Sequence, residues 1–410
     1  MGAGGQHEGV ELLKALALVT RLPVPPWRGD QVRAYHHLRL LARRHDVTVC
    51  ALVLGRADPA HAAAVEALGV RLVLVPLGLV GAPAALARGL FDDQPLQVWL
   101  YHRRVALARV RALLARERFD VVHAQLVRTG AYWPEPSGPP VVLDLIDALS
   151  ENFERRAARD RGPLGWASAL EGARLRRYEP ALVARAAATL VVAEPDRRAL
   201  GSPRVRVVPN GVDLDAFPFR TTAPVAGRIV FGGNLGYFPN VDAARWLVEE
   251  ILPAVRVHVP DATVHLVGAR PTPAVKALAT RPGVSLVADA PAMAPEIASG
   301  AVTVIPMRSG SGLQNKVLEA MAVGTPVVTT PQVAAALLGR DGEHLRLGGS
   351  TDELAAAAVA LLRDATAAVA QARAARALVT ASYGWEASAV AVENAWEDAV
   401  RARSLHGASR

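Results

Sequence analysis

The stretch VTVIPMRSGSGLQNKVLEAMAVGTPVVTT, residues 302–330, decides the fold class of this chain. An apolar strand at 302–306 leads into a Gly/Ser loop, and a helix follows at 313–323. The tripeptide GTP at 324–326 ends the helix, and a second apolar strand starts at 327. A strand, a crossover helix and a second strand form a βαβ unit, which predicts a parallel sheet.

The loop of this unit is suited to an anion. Gly310 and Gly312 let backbone N–H groups approach a ligand, and the helix dipole favours negative charge at the helix start. Arg308 and Lys316 add two full positive charges on either side of the loop. We therefore predict a diphosphate site here rather than a plain crossover with a flexible loop. The sequence contains no G-x-x-x-x-G-K-[ST], so this motif is not a P-loop.

The composition is that of a globular protein with two or three domains. The chain has 410 residues, of which 51% are hydrophobic and 20% charged. Lysine occurs only at Lys14, Lys276 and Lys316 in an Arg-rich chain, so a lysine in the loop stands out. The single cysteine, Cys50, lies in an apolar run and is expected to be buried, which suits a reducing cytoplasm.

The positive charge is concentrated in the first half of the chain. Residues 1–215 hold 29 Lys and Arg against 22 Asp and Glu, whereas the remainder holds 17 against 16. The charges are scattered without interleaved aromatic residues, which argues against nucleic acid. The surplus is compatible with peripheral contact between the N-terminal domain and an anionic membrane. No signal peptide and no apolar run of about 18 residues is recognisable, so we expect a cytoplasmic protein, in solution or at the inner membrane face.

Strands and helices alternate along the whole chain, which predicts an α/β fold of two doubly wound domains. Helical patterns occur at 31–44, 60–68, 98–118, 240–257, 272–279, 313–323 and 386–403. Apolar runs of strand length occur at 15–19, 47–54, 70–75, 119–123, 141–146, 188–193, 205–208, 228–231, 263–267, 284–287, 301–305 and 327–330. We predict a Rossmann-like domain at 1–218, a second at 219–385, and a terminal helix and tail at 386–410. Ligand sites in such folds lie beyond the carboxyl ends of the strands, so we expect a cleft between the two domains.

Three segments together resemble the GT-B glycosyltransferases, specifically glycosyltransferase family 4 and related group 1 sugar transferases. They are PNGVD (209–213), FGGNLGYFPNVDA (231–243) and SGSGLQNKVLEAMAVGTPVV (309–328). The stretch at 21–49 further resembles a branch of exopolysaccharide-associated sugar transferases. The resemblance covers about residues 12 to 390, nearly the whole chain.

The resemblance implies a nucleotide-diphosphate-sugar donor, held mainly by the C-terminal domain, and no cofactor. The family usually carries a Glu-x7-Glu pair here, whose second member matches Glu319 and is expected to bind the donor ribose. Its first member matches Ser311, a departure that puts the contacts to the sugar ring in question. Gly310, Gly312 and Leu313 complete the donor loop.

A second departure concerns the turn after the strand at 228–231. Family members often carry an Arg and a Lys there, whereas residues 232–240 of this chain hold no base. Arg308, Lys316 and backbone donors are then expected to meet the diphosphate. Gly233 and Asn234 are predicted to border the donor, the alternative being a glycine turn with an Asn cap. Asp289 is either at the edge of the nucleobase or a helix cap.

The N-terminal domain is expected to receive the acceptor, a glycan or a lipid-linked sugar. Gly29, Asp30 and Arg33 lie at the start of the first predicted helix, where Asp30 is either a site residue or an N-cap and Arg33 a site residue or a solvated one. His123 ends the run FDVVH and resembles the histidine near the reacting centre of related enzymes, although strand-end histidines are often polar caps.

No metal site is predicted. Asp213 and Asp215 match a DxD motif but lie in the turn after PNGVD, which they are expected to shape. Asp144 and Asp147 are too weak a signal alone, and no His, Cys and Asp cluster has metal-ligand spacing.

The sequence thus predicts a retaining glycosyltransferase, with retention implied by the resemblance alone. The leaving diphosphate would be stabilised by Arg308, Lys316 and the helix start, and the acceptor hydroxyl would attack near His123 or Asp30. Two alternatives stay open at this point: a nucleotide-sugar 2-epimerase, and a non-catalytic protein that binds sugar nucleotides.

Overall fold

A computed structural model describes residues 12–78, 87–89, 92–159, 162–309 and 312–408. The chain divides into two compact units. The N-terminal unit comprises the described residues up to Val191, Asp196–Val208 and the residues from Ala389 onward. The C-terminal unit comprises Val192–Pro195 and Pro209–Ser388.

The described part of the N-terminal unit contains one sheet of seven parallel strands in the order β3-β2-β1-β4-β5-β6-β7. The strands are β1 (Lys14–Val19), β2 (Asp46–Leu54), β3 (Arg71–Leu77), β4 (Val121–Gln125), β5 (Val141–Ile146), β6 (Ala188–Val191) and β7 (Val205–Val207). Most central-strand side chains are buried because helices cover both faces of a parallel sheet. Cys50, opposite Leu18 on β1 and Val73 on β3, is fully buried as expected, and burial raises the pKa of its thiol to about 12.

Helices connect these strands. They are α1 (Gly29–Leu41), α2 (Pro59–Glu66), α3 (Leu96–Tyr101), α4 (Arg104–Arg116), a 3-10 turn (Val127–Tyr132), α5 (Leu149–Arg159), α6 (Pro163–Arg185) and α7 (Glu194–Leu200). The segment predicted as one helix over 98–118 is two, interrupted at His102 and Arg103. The paired helices α5 and α6 were not predicted.

The described part of the C-terminal unit contains a sheet of six parallel strands in the order β10-β9-β8-β11-β12-β13. The strands are β8 (Val225–Gly232), β9 (Thr263–Gly268), β10 (Val284–Ala288), β11 (Gly300–Ile305), β12 (Val327–Thr329) and β13 (Arg346–Leu347). Both sheets therefore reverse their strand order at one point, between β1 and β4 and between β8 and β11. The two parallel sheets confirm the predicted α/β architecture; only the two-residue β13 was not predicted.

The C-terminal unit also carries helices on both sides of its sheet. They are α8 (Phe238–Trp246), a π turn (Leu247–Ile251), α9 (Leu252–Arg256), α10 (Pro273–Leu278), α11 (Met293–Ala298), α12 (Asn315–Val323), α13 (Pro331–Ala334), α14 (Thr351–Arg363) and α15 (Ala365–Ser382). The helix α12 ends, as predicted, at Gly324, which adopts the left-handed conformation with φ +79°.

The last helix, α16 (Trp385–Ala408), belongs to the N-terminal unit from Ala389 onward. Glu393 on this helix accepts a hydrogen bond from His45 Nε2 at 2.9 Å and pairs with Arg44 at 2.7 Å. The indole of Trp396 contacts the rings of His45 and His123. The tail segment predicted at 386–410 is thus mostly helix, and its inner face packs on the N-terminal unit. Among the described helices, none is both long and apolar enough to cross a membrane.

Candidate functional site

In the C-terminal unit the reversal of strand order brings two chain segments to the same edge of the sheet. Gly233 and Asn234 follow β8, and Met307 and Arg308 follow β11, the neighbouring strand. Ligands of doubly wound sheets bind at such a switch point, beyond the carboxyl ends of the strands. The diphosphate motif of the sequence therefore lies where the topology expects a ligand.

Two glycines allow the backbone to fold tightly at this edge. A Cβ on Gly268, at the end of β9, would lie 1.7 Å from the carbonyl oxygen of Gly233. A Cβ on Gly233 would in turn lie 3.1 Å from Lys316 Cε. Both glycines have positive φ, +151° and +144° respectively, which other residues rarely adopt. Lys316 can therefore lie directly against the turn after β8.

Lys316 connects this turn to the end of β11. Its Nζ donates to Asn240 Oδ1 at 2.8 Å and to Gln314 Oε1 at 3.2 Å, and it lies 3.2 Å from Met307 Sδ. These neighbours are neutral, so they solvate the ammonium group without cancelling its charge. Burial lowers the pKa of Lys316 to about 8, with an opposing effect from Glu319.

Glu319 lies one helical turn after Lys316, on α12. Burial raises the pKa of this carboxyl group to about 7, although Lys316 opposes the shift. The residue is half-buried, and its carboxylate has no hydrogen-bond partner among the described residues. A desolvated carboxylate beside an ammonium group is well placed to accept hydrogen bonds from hydroxyl groups of a ligand.

The described part of the loop supports this site. Gly312 has φ +64°, Leu313 is buried, and α12 begins at Asn315 rather than at 313. Its N-cap Gln314 makes no side-chain capping bond, so the helix start lacks a side-chain acceptor there. Gly310 and Ser311, both predicted to contact the donor, lie outside the described residues.

Arg308 is turned toward α8. Its Nε lies 3.5 Å from Asp242 Oδ2, and its guanidinium group stacks on Trp246 with 4.4 Å to the ring centroid. It also borders a cavity of about 500 Å³ at the carboxyl ends of β11, β12 and β13. This cavity is lined by Trp246, Glu250, Met307, Arg308, Thr330, Pro331, Gln332, Gly349, Ser350 and Thr351. Arg308 thus lies at the same sheet edge as Lys316 but is bound to another element.

Asn234 and Asp289 shape turns. Asn234 Oδ1 accepts from the Gly236 amide at 3.0 Å, and its carbonyl accepts from Asn240 Nδ2 at 2.9 Å. Asp289 has φ +50°, and its Oδ1 accepts from the Arg270 amide at 3.0 Å. Asp289 is therefore a turn residue at the end of β10 and not a helix cap.

In the N-terminal unit, Gly29 and Asp30 form the first turn of α1, so Asp30 is not the N-cap. Its carboxylate pairs with Arg21 at 3.1 Å, and its backbone carbonyl accepts from Gln125 Nε2 at 3.0 Å. This cluster lies at the carboxyl ends of β1 and β4, the switch point of that sheet.

Arg33 and His123 are buried below this edge. Arg33 Nε donates to Asp144 at 2.7 Å and its Nη1 to the Val208 carbonyl at 2.9 Å. His123 is the middle residue of β4, because the strand continues to Gln125 rather than ending at the histidine. Its Nδ1 accepts from Trp396 Nε1 at 3.2 Å, and its Nε2 lies 3.7 Å from Asp144. Burial alone would raise the pKa of Asp144, but Arg33 and His123 outweigh it and hold the pKa far below its ordinary value.

The described residues contain no cluster able to hold a metal ion. Asp213 of the DxD-like pair accepts from the amides of Asp215 and Ala216, both at 3.1 Å, and so shapes the turn as expected. Several residues that contact the predicted site residues were not predicted from the sequence. They are Asn240, Gln314 and Met307 around Lys316, Gly268 beneath the turn, and Arg21 and Gln125 beside Asp30.

Two sequence families match the chain. The family described as "Glycosyltransferase Family 4" matches residues 27–216, and the one described as "Glycosyl transferases group 1" matches residues 226–364. Together the two matches extend over most of both units. No curated protein matches the chain.

Solved structures are similar over almost the whole chain. Alr3699/HepE of Anabaena in complex with UDP-glucose is 15% identical with a TM-score of 0.65, and the match covers 95% of this chain and 100% of that one. Sucrose-phosphate synthase from Thermosynechococcus elongatus is 17% identical with a TM-score of 0.68, covering 96% and 100%. WaaG, involved in lipopolysaccharide biosynthesis, is 16% identical with a TM-score of 0.63, covering 92% and 98%. At these identities the similarity shows a shared fold.

The buried pair Arg33–Asp144 gives a stability prediction. Asp144→Asn removes the charge that compensates Arg33, so the free energy of unfolding at pH 7 should fall by about 3 to 5 kcal/mol in urea denaturation. The pKa of Asp144 is depressed in the folded state, so the contribution is full above about pH 4 and is lost as the pH falls further. The double variant Arg33→Met/Asp144→Leu removes both charges and should recover most of the loss. Equal losses in both variants would contradict a paired role.

Proposed function

Since the chain belongs to the group 1 and family 4 glycosyltransferases with the GT-B fold, enzymes that transfer a sugar from a nucleotide-diphosphate sugar, we propose that its C-terminal unit holds the donor around Lys316. The observation that supports this is the position of the Lys316 ammonium group. It lies at the switch point, against the glycine turn after β8, among neutral partners only. An anion there would meet an ammonium group that forms no ion pair within the described residues, although Glu319 on the same helix raises its pKa.

Lys316 is the principal phosphate ligand in this proposal. As the sugar leaves, negative charge grows on the diphosphate, and a desolvated ammonium group stabilises it more strongly than a solvated one. The uncapped start of α12 adds backbone donors. Arg308, the residue after Met307, contributes a second positive charge to the diphosphate in this proposal. In this structure its side chain contacts Asp242 and Trp246.

Glu319 is proposed to accept hydrogen bonds from the two ribose hydroxyls of the donor. Its side chain is half-buried and lacks a partner within the described residues, which suits an acceptor that a ligand completes. Asn234 and Gly233 border the donor through the backbone of their turn, and Asp289 marks the end of β10 on the nucleobase side. Uridine donors are the first to test, because the similar HepE structure is a complex with UDP-glucose.

The acceptor is proposed to enter through the N-terminal unit, beside Gly29, Asp30, Arg21 and Gln125. Retention of configuration is carried over from the family. In this proposal His123 and Arg33 do not touch the acceptor. Arg33 is buried against Asp144 and His123 against Trp396, and these contacts hold in place the strand ends beside which the acceptor binds.

We further propose that the acceptor is lipid-linked and that the enzyme acts at the inner face of a membrane. The first turns of α6 expose Leu164, Trp166 and Leu170 to 69%, 82% and 43%, respectively. Trp166 is the most exposed large apolar side chain among the described residues, and Trp favours the membrane interface. The basic surplus of residues 1–215 adds attraction to anionic lipid.

Lys316→Ala tests the donor site. We expect donor turnover, measured as release of UDP from UDP-glucose with and without an acceptor extract, to fall by about 10² to 10³-fold. Thermal unfolding should show an intact fold, and Lys276→Ala, which removes an exposed lysine elsewhere in the same unit, serves as the matched control. Near-normal turnover in Lys316→Ala would refute the assignment. Conversion of UDP-glucose to an epimer without acceptor would favour an epimerase instead.

Glu319→Gln tests the ribose contact. The neutral amide keeps one acceptor and loses the charge, so UDP affinity by calorimetry at pH 8 should fall by about 10 to 100-fold. With a pKa of about 7, Glu319 is increasingly protonated at lower pH. UDP affinity of the unaltered protein should therefore weaken below pH 7, whereas Glu319→Gln should remove that part of the pH dependence. An unchanged pH dependence in the variant would assign it to another group.

The membrane contact is tested with vesicles. Leu164→Ser/Trp166→Ser should lower binding to vesicles of 30% phosphatidylglycerol in phosphatidylcholine by about tenfold or more, because two apolar side chains no longer insert. Val105→Ser, at a similarly exposed apolar position on α4 of the same unit, is the control and should bind normally. Binding by the unaltered protein should weaken with salt. Salt-independent binding, or an unaffected double variant, would contradict the proposal.

A further inference from the structure

We propose that Asn240 is the positioning residue of the donor site, holding the Lys316 ammonium group against the glycine turn where the diphosphate binds. The inference rests on the proposed function of Lys316 and adds a residue 76 positions away in sequence. Nothing in the charge pattern of the chain points to Asn240, because its side chain is neutral.

The amide of Asn240 makes two hydrogen bonds of opposite sense. Its Oδ1 accepts from Lys316 Nζ at 2.8 Å, and its Nδ2 donates to the Asn234 carbonyl at 2.9 Å. The second bond fixes which end of the amide faces the lysine, because the carbonyl of Asn234 can only accept. Asn240 therefore ties the lysine to the turn that follows β8.

Burial makes this arrangement rigid. Asn240 is 4% exposed, on the first turn of α8, and its Nδ2 would lie 3.2 Å from a Cβ on Gly233. The lysine side chain passes over Gly233 and the Phe231 ring, 5.9 Å from its centroid. The lysine side chain therefore packs between α8 and the end of β8.

The ammonium group has few charged neighbours. Glu319 on the same helix raises its pKa. The groups in contact with the ammonium group, on Asn240 of α8, Met307 after β11 and Gln314 before α12, are neutral. The nearest acid further along α8, Asp242, pairs with Arg308. The Asn240 carbonyl is the nearer of the two oxygens that accept from the ammonium group, and its dipole favours the charged form of the lysine.

A carboxylate at this position would bind the lysine more tightly and cancel its charge. An apolar residue would leave the ammonium group desolvated and favour its neutral form. An amide does neither, so it keeps Lys316 charged, in place and available to an anion. An apolar residue at position 240 should therefore lower the pH at which the lysine loses its proton, and a carboxylate should raise it.

The test is the pH dependence of nucleoside diphosphate binding in the full chain. Affinities for UDP, ADP and GDP are measured by calorimetry from pH 6.5 to 9.5 for the unaltered protein, Asn240→Ala and Asn240→Asp. The unaltered protein should lose affinity above about pH 8. The onset should move down by about one pH unit in Asn240→Ala and up by about one unit in Asn240→Asp. At pH 7 both variants should bind about tenfold more weakly.

A merely structural role would lower the affinity without moving the onset. Gln371→Ala, which removes a buried amide donor to the Val327 carbonyl in the same unit, controls for general loss of stability and should keep the onset unchanged. Equal onsets in all three proteins would overturn the inference even if affinity fell. If Lys316→Ala itself binds UDP normally and retains turnover, the proposed function fails instead, so the two failures are distinguishable.

Discussion

The proposed donor site depends on a single close approach of two backbone segments. The carbonyl oxygen of Gly233 occupies the space that a side chain on residue 268 would need, 1.7 Å from where its Cβ would lie. Any side chain there would push the turn after β8 away from β9, and with it the surface on which Lys316 rests. The Gly233 turn is also anchored at Asn240, through the bond from its Nδ2 to the Asn234 carbonyl. Glycine at 268 is thus a condition for the lysine, the asparagine and the turn to meet.

The two units use buried charge in opposite ways. In the N-terminal unit Arg33 and Asp144 form a buried ion pair at 2.7 Å, so each charge already has its partner within the protein. In the C-terminal unit burial moves the pKa values of Lys316 and Glu319 to about 8 and about 7, so between pH 7 and 8 both groups are mainly charged but each can become neutral at little cost. Such a site is poised to gain from a ligand that supplies anionic oxygens to one group and hydroxyls to the other.

Sequence patterns predicted this architecture well because apolar strand runs are short, separate and bounded by Gly and Pro. The strands β1, β2 and β9 were predicted to within a residue, and the βαβ unit at 302–330 was predicted to the position of its stop at Gly324. The helix α6 was missed because its Ala- and Arg-rich sequence lacks a clean apolar period, so tertiary packing decides its helicity. The shorter α5 was missed although its few apolar residues lie on one face. His123 was placed at a strand end because it is polar, whereas the strand continues through the buried Gln125.

In the candidate site, only the charged residues could be predicted from the sequence. Lys316 and Glu319 were found because they are charged and spaced on one helix. Asn240 could not be found, because an asparagine at a helix start is usually a local cap and its partner lies 76 residues on. The contacts of Arg308 could not be predicted either. Its guanidinium group stacks on Trp246 and pairs with Asp242, and no local sequence pattern shows whether it prefers these partners or a ligand.

The contact between Asn240 and Lys316 gives a physical reason for the absence of a basic residue from 232–240. A second cation at the Asn240 position, about 3 Å from Lys316 Nζ, would repel it by roughly 4 kcal/mol or more at an effective dielectric constant of 20. That repulsion would favour the neutral amine and leave the diphosphate facing two half-charged groups. An amide in the same place costs no such repulsion and lets one lysine carry a full charge below its pKa of about 8. In the proposed donor site, the amide of Asn240 thus fixes Lys316 in place without repelling it, and Arg308 supplies the second positive charge from a position after β11.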